Sequence, residues 1–307
     1  MMKLPNDFPT EEELLNIIMH TATTAWNNDL FEKDIESWLG NFKGEVYGLQ
    51  EERLLGLWLL SHFTYYNKNE VHHLCKVLFA DLTHYIVQND TTSETDLTKI
   101  VNDFFAKSNI ISPGKTSDSG GFIAYIFRQE NGLPMKLFNF SLDNVNDATA
   151  NLLVIDDVTL TAKVGGQAHT FFKDARKIHP KKNFILLTLI ANSDVIEFLK
   201  KEFDVLVISA IILDKRDKCF DSTSDLFSSF PVLIPIAEKF ARHYGKKTHP
   251  EMEIGYEDGQ YTFGFFYNTP DNTLPIFWGQ KNSWVPVLKR YHKNYLNSNY
   301  LRNERFV

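Results

Sequence analysis

The chain has 307 residues, 43% of them hydrophobic, with two cysteines and a formal net charge of −7. That length supports one large domain or two modest ones, the acidic balance argues against wholesale phosphate-backbone binding and gives no strong nucleic-acid signature, and two cysteines make no disulfide framework. No apolar run reaches transmembrane length and residues 1–9 carry no signal-peptide core, so a cytoplasmic protein with no membrane partner is expected, its core rich in the 25 Phe and 12 Tyr.

In chain order, the first ~100 residues read as helical. Thr10 and Glu13 make a capping box ahead of Leu14, Leu15, Ile17 and Ile18. Residues 54–66 are apolar on almost every face and read as a buried helix. Residues 70–88 repeat apolar positions at Val71, Leu74, Cys75, Leu78, Leu82, Tyr85 and Ile86, an amphipathic helix. Residues 89–95 are polar and hydroxyl-rich, a linker. The chain is therefore divided into a helical region, 1–95, packed on an α/β domain, 96–307. Beyond the linker, strands are expected at 109–112, 136–140, 152–155, 183–191, 205–213 and 261–267. Helices are expected at 120–129, 166–178, 193–201 and 234–244. This alternation predicts an α/β fold with a mostly parallel, doubly wound sheet.

The most informative stretch is 151–167. A short apolar run, Leu152 to Ile155, delivers two adjacent carboxylates, Asp156 and Asp157, to the end of a strand. A loop rich in Thr and Gly follows, and then a helix with Ala168, Phe171, Phe172, Ala175 and Ile178 on its apolar stripe. Ligands of open α/β sheets bind beyond the carboxyl ends of the strands. A loop feeding a helix N-terminus suits a phosphate. Two carboxylates beside such a cradle suit a phosphorylated sugar, through its hydroxyls or a hydrated Mg²⁺.

This segment resembles the PRPP-binding motif of the phosphoribosyltransferases. The similarity extends to Leu57-Trp58-Leu59-Leu60-Ser61-His62-Phe63-Thr64-Tyr65-Tyr66, to the Ser119-Gly120-Gly121 turn leading to Phe127-Arg128-Gln129, and to Asn268-Thr269-Pro270-Asp271-Asn272-Thr273-Leu274-Pro275-Ile276-Phe277-Trp278. Together these resemble the phosphoribosyltransferase-like family of bacterial conflict systems, including retron-type antiphage cassettes. The resemblance implies a type I phosphoribosyltransferase-like fold. It implies that Asp156 and Asp157 meet the ribose hydroxyls of PRPP, and that Val158, Thr159, Leu160, Thr161, Ala162, Lys163, Val164 and Gly165 wrap the 5′-phosphate, with Thr161 the best hydroxyl donor. It makes the segment around Lys115, Ser117, Ser119 and Gly120 the pyrophosphate loop, with Lys115 and Arg128 as neighbouring cations, and it implies Mg²⁺ carried by PRPP near the Asp pair. The chain departs from the family pattern at Thr159, Leu160 and Val164, and the glycines Gly165 and Gly166 come late.

Other readings compete for the same residues. Asp156 and Asp157 could only cap the following helix. A receiver domain would also begin with paired Asp, but its next strand should end in a phospho-acceptor Asp, and residues 184–190 contain none. Asp118-Ser119-Gly120-Gly121 resembles a chymotrypsin-like nucleophile motif, which belongs to disulfide-bearing all-β proteins. His72, His73 and Cys75 lack a second ligand pair at zinc spacing, so a core cysteine with surface histidines is expected. Asn268, Asn272, Thr273 and Trp278 could simply shape a turn-rich closing segment, a role compatible with walling an acceptor pocket, and structure together with a pocket wall is the expectation.

Two functions follow. One is an antiphage effector enzyme that binds PRPP or a nucleotide and transfers or cleaves the ribosyl–base bond. The other is a degenerate PRPP- or nucleotide-sensing module that docks a partner such as a retron reverse transcriptase–RNA complex or another defence-cassette protein. The departures favour the second and the intact Asp pair the first.

Overall fold

The structure, a computed structural model, describes residues 3–92, 94–113, 118–139, 141–161, 163–288 and 290. In chain order the helices and strands are α1 (Glu11–Thr24), α2 (Glu32–Leu39), α3 (Leu49–Ser61), β1 (Thr64–Tyr66), α4 (Lys68–Gln88), α5 (Leu97–Ala106), β2 (Ser108–Ile111), α6 (Ser119–Glu130), β3 (Asn151–Thr159), α7 (Gln167–Ile178), β4 (Asn183–Asn192), α8 (Ser193–Phe203), β5 (Val205–Leu213), α9 (Ile234–Thr248), β6 (Phe263–Phe265) and α10 (Pro275–Trp278). By their internal contacts they form two compact units. One joins the residues up to Tyr66 with those from Phe227 onward, and the other is the continuous stretch Asn67–Leu226. This grouping differs from a division at 95/96, because α4 lies against β4, β5 and α6 within the second unit.

The second unit is built on a parallel sheet in the order β2-β3-β4-β5. Leu152, Leu153, Val154 and Ile155 are fully buried, as are Leu187, Leu189 and Ile190, so these strands are covered on both faces. Side chains alternate across a strand. Leu152, Val154, Phe184 and Leu186 meet Phe172 and Ala175 of α7 and Val195 and Leu199 of α8. The other face receives α6 against β3 and α4 against β4 and β5. The doubly wound arrangement follows directly.

The winding reverses at β2. Ile110 is paired with Leu153 of β3 on one side, so its parallel bridge to Phe138 lies on the other. The chain thus leaves β2 outward through α6 and returns to the inner side as β3. Residues 136–140 were expected as a strand. Instead Met135–Leu137 is a 3₁₀ turn, whose closure takes the Leu137 and Phe138 N–H groups to the Pro134 and Met135 carbonyls at 3.1 and 3.0 Å; Phe138 makes an isolated bridge, and Phe140 lies outside the described residues.

The first unit holds the aromatic mass. The capping box forms as read: Thr10 Oγ1 accepts the Glu13 N–H at 3.3 Å and Glu13 accepts the Thr10 N–H at 2.8 Å. Helix α3 is buried on nearly every side, but it ends at Ser61. Residues 64–66 are not helix; they pair as β1 with β6 in a separate two-stranded parallel sheet, which also explains why the strand expected at 261–267 shortens to three residues. Trp38 and Trp284 both donate their indole N–H to the Ile276 carbonyl, at 2.7 and 3.0 Å. Trp38, Phe42, Phe240, Tyr244 and Phe277 interlock around them.

Candidate functional site

Asp156 and Asp157 do not lie beyond the strand. They sit within β3, which runs on to Thr159, because residues 158 and 159 keep their register with Ile190 and Ala191 of β4. β2, however, ends at Ile111, opposite Val154. The last five residues of β3 therefore extend past β2, at the point where the winding reverses. That is where ligands bind in open α/β sheets.

The first carboxylate of the pair folds onto its own strand: Asp156 Oδ1 accepts the Asp157 N–H at 3.0 Å, and Asp157 Oδ1 accepts the Val158 N–H at 2.9 Å. Asp157 is 7% exposed and Asp156 more so. Helix α6 starts against them. A Cβ at Gly120 would lie 3.0 Å from Asp156 Oδ1 and 3.2 Å from the Ile155 carbonyl, so a side chain there would make these neighbours give by a few tenths of an ångström. Ser119 is the first residue of that helix. The start of α6 and the Asp pair are thus brought together.

Arg128 is not. It stands in the last turn of α6, about 13 Å along the axis from Ser119 at the α-helical rise, with its guanidinium 5.7 Å from the Tyr125 ring centre. Lys115, Ser117 and Ala162 lie outside the described residues.

The expected phosphate loop leads from β3 into α7. Thr159 and Leu160 are 6% and 8% exposed, so two of the three departures from the family pattern are core positions. Val164 is 72% exposed. It occupies a corner of the β-turn closed by Gly166 N–H donating to the Lys163 carbonyl at 2.9 Å. Gly165 takes the third position of that turn with φ +87°, a conformation that favours glycine. The late glycines therefore build the turn into α7. Gly166 is the N-cap, and α7 has no side-chain cap at that residue. Its first-turn N–H groups and positive dipole end lie at the loop. One residue passed over in the sequence stands here. His169 Nδ1 accepts the Gly165 N–H at 3.1 Å. Its signal was positional: three residues after the N-cap, where Glu or Gln is usual.

Asn272, Thr273 and Trp278 are buried in the other unit, with their polar atoms turned to main chain. Asn272 Nδ2 donates to Tyr256 O at 3.2 Å, Thr273 Oγ1 to Phe263 O at 2.6 Å, and Trp278 Nε1 to Thr273 O at 2.8 Å. Asn268 donates its N–H to Phe265 O at 3.1 Å. These hydrogen bonds shape the turns of the closing segment.

Among the described residues no group of three or more His, Cys, Asp or Glu side chains could hold a metal ion. The Asp pair alone suits Mg²⁺ only where a ligand's own oxygens complete the shell. His72, Cys75 and the metal reading separate likewise: His72 Nδ1 meets Glu130 at 2.7 Å, and burial pushes the Cys75 thiol up to about 12.

No helix among the described residues is long and apolar enough to cross a membrane. Neither the curated proteins nor the solved structures give a match to the chain. A family model does: PRTase-CE matches residues 35–290, spanning the Asp pair, the α6 start and the closing Asn-Thr-Pro segment. The chain belongs to the phosphoribosyltransferase-like PRTase-CE family.

Proposed function

We propose that this protein binds PRPP, or a nucleotide of the same ribose 5-phosphate shape, and breaks or makes the bond at the ribosyl C1′. In the transfer direction the C1′–oxygen bond to pyrophosphate breaks, a C1′–nitrogen bond to a base forms, and the nitrogen gives up its proton. The observation that carries this reading is the convergence at one switch point of Asp156, Asp157, the glycine-tight start of α6 and the loop into α7. Asp156 and Asp157 would accept hydrogen bonds from the ribose hydroxyls. The loop and the first turn of α7 would hold the 5′-phosphate, and the start of α6 would receive the pyrophosphate. Such chemistry needs positioning and charge stabilisation more than covalent help. Mg²⁺, held by PRPP oxygens beside Asp156 and Asp157, would neutralise charge on the departing pyrophosphate.

The test is thermal: PRPP with Mg²⁺ raises the melting temperature of the wild type by mass action and leaves Asp157→Asn unmoved. Product analysis on wild type with PRPP and each free base then identifies turnover. A second reading, a sensor without turnover, is favoured by the departures from the family pattern at Thr159, Leu160 and Val164. It predicts the same melting shift with no pyrophosphate release. The setting in bacterial antiphage defence, with a nucleotide target and a reverse transcriptase–RNA partner, is carried by the family resemblance alone.

A further inference from the structure

The turn that enters α7 is fastened at a single peptide unit. His169 Nδ1 accepts the Gly165 N–H at 3.1 Å, and Thr170 Oγ1 donates to the Gly165 carbonyl at 3.3 Å. Both polar groups of Gly165 are thus held by side chains from the first turn of α7. The imidazole is seated by aromatic rings, Phe203 at 5.2 Å and Phe198 at 6.2 Å between centres. To accept at Nδ1 it must carry its proton on Nε2 and be neutral. α1 closes its capping box with Glu13 and α4 with Glu70, each a carboxylate at the third helical position. α7 has His169 at that position, where it ties the N–H of Gly165, one residue before the N-cap Gly166. A carboxylate could make the same tie, but it would set a full negative charge beside the loop.

We infer that His169 is the positioning residue of the phosphate loop: an uncharged acceptor that locks the Gly165 turn in the shape that receives a phosphate, where a carboxylate cap would repel it. The inference rests on the reading that this loop holds the 5′-phosphate of PRPP or a nucleotide. Three variants separate the tie from the ring and from the charge. His169→Phe keeps a ring against Phe203 and Phe198 and loses the acceptor. His169→Gln restores a neutral acceptor. His169→Glu restores an acceptor and adds charge. Each is measured by hydrogen exchange at Gly165 without ligand and by calorimetric titration with PRPP plus Mg²⁺ and with ribose 5-phosphate. Expected are faster Gly165 exchange and about tenfold weaker binding of both ligands in His169→Phe, the loss of roughly one hydrogen bond's worth of preorganisation. His169→Gln should recover both readouts. His169→Glu should recover slow exchange yet bind both ligands at least tenfold more weakly than wild type. Wild-type affinity in His169→Phe would overturn the positioning role, and wild-type affinity in His169→Glu would overturn the charge argument. If the wild type itself binds neither ligand, the phosphate reading falls and this inference with it, a result distinct from either of those.

Discussion

Asp157→Asn removes a charge but keeps an oxygen in place of Oδ1, which accepts the Val158 N–H at 2.9 Å. Stability should therefore change by no more than about 1 kcal/mol, while the PRPP-induced melting shift disappears; equal shifts in wild type and variant would refute the assignment. Glu52 is the opposite case. It is fully buried, and its carboxylate accepts the N–H groups of Gly44, Val46 and Tyr47 at 2.6, 2.7 and 3.0 Å together with the Tyr244 hydroxyl. Burial and the Glu52 carboxylate push the Tyr244 phenol well above its ordinary range, so it stays protonated and donates. Glu52→Ala strands those donors and should cost on the order of 3 kcal/mol in urea unfolding, with no direct effect on the Asp pair. His62 adds a pH dependence. Its ring lies 4.3 Å from Trp58 and burial lowers its pKa. The unfolded chain then binds the proton more readily, so stability present above the ordinary histidine value is lost as pH falls through the folded one. Melting curves between pH 7 and pH 5 should show a steeper decline for the wild type than for His62→Gln. At this scale the sequence discloses residue type better than residue partner. Paired Asp after an apolar strand is conspicuous, whereas Asn272, Thr273 and Trp278 look equally apt for a pocket or a turn until their main-chain partners are seen.

Elements whose signal is local were legible, and those fixed by a distant partner were not. The apolar runs of β3, β4 and β5 and the capping box of α1 follow from neighbouring residues alone. The last four residues of β3, including both Asp, read as loop because the apolar run stops at the paired carboxylates and Asp is depleted in strands. Their register with β4 keeps them in the strand. β1 was hidden behind the apolar continuity of α3, since only pairing with β6 some 200 residues away turns it into a strand. The junction of α6 with β3 supplies a prediction at this scale. A Cβ at Gly120 meets a carboxylate oxygen and a strand carbonyl, at 3.0 and 3.2 Å, neither of which is the end of a long flexible side chain. Gly120→Ala should force α6 away from β3 and cost about 1–3 kcal/mol, as overpacking does. PRPP binding should fall along with stability, unlike in Asp157→Asn. A fully stable Gly120→Ala with normal ligand binding would show that the helix start is not set by that approach.

The whole molecule is interleaved: the stretch Asn67–Leu226 is contiguous, and the residues on either side of it make up the other unit. A cut at the polar stretch 89–95, natural from composition, severs both. It takes α4, with its buried Val71, Cys75, Leu78, Leu82 and Ile86, from β4, β5 and α6. It also takes β1 from β6 and α3 from α9. A fragment of residues 100–307 would thus expose the α4-facing sides of the sheet and the aromatic groups that α2 and α3 cover, apolar surface large enough to drive association. Residues 67–226 retain the entire parallel sheet, helices on both of its faces and an uninterrupted chain, the conditions for a core that folds alone. The 67–226 fragment should elute as a compact monomer with a cooperative melt, and the 100–307 fragment should elute in the void volume. The reverse order of behaviour would place the true boundary at the composition change. Because Asp156, Asp157, Gly120 and His169 all lie within 67–226, the folded fragment would also reveal whether phosphate recognition resides in that unit: ribose 5-phosphate should bind it with wild-type affinity if the loop and its His169 fastening suffice.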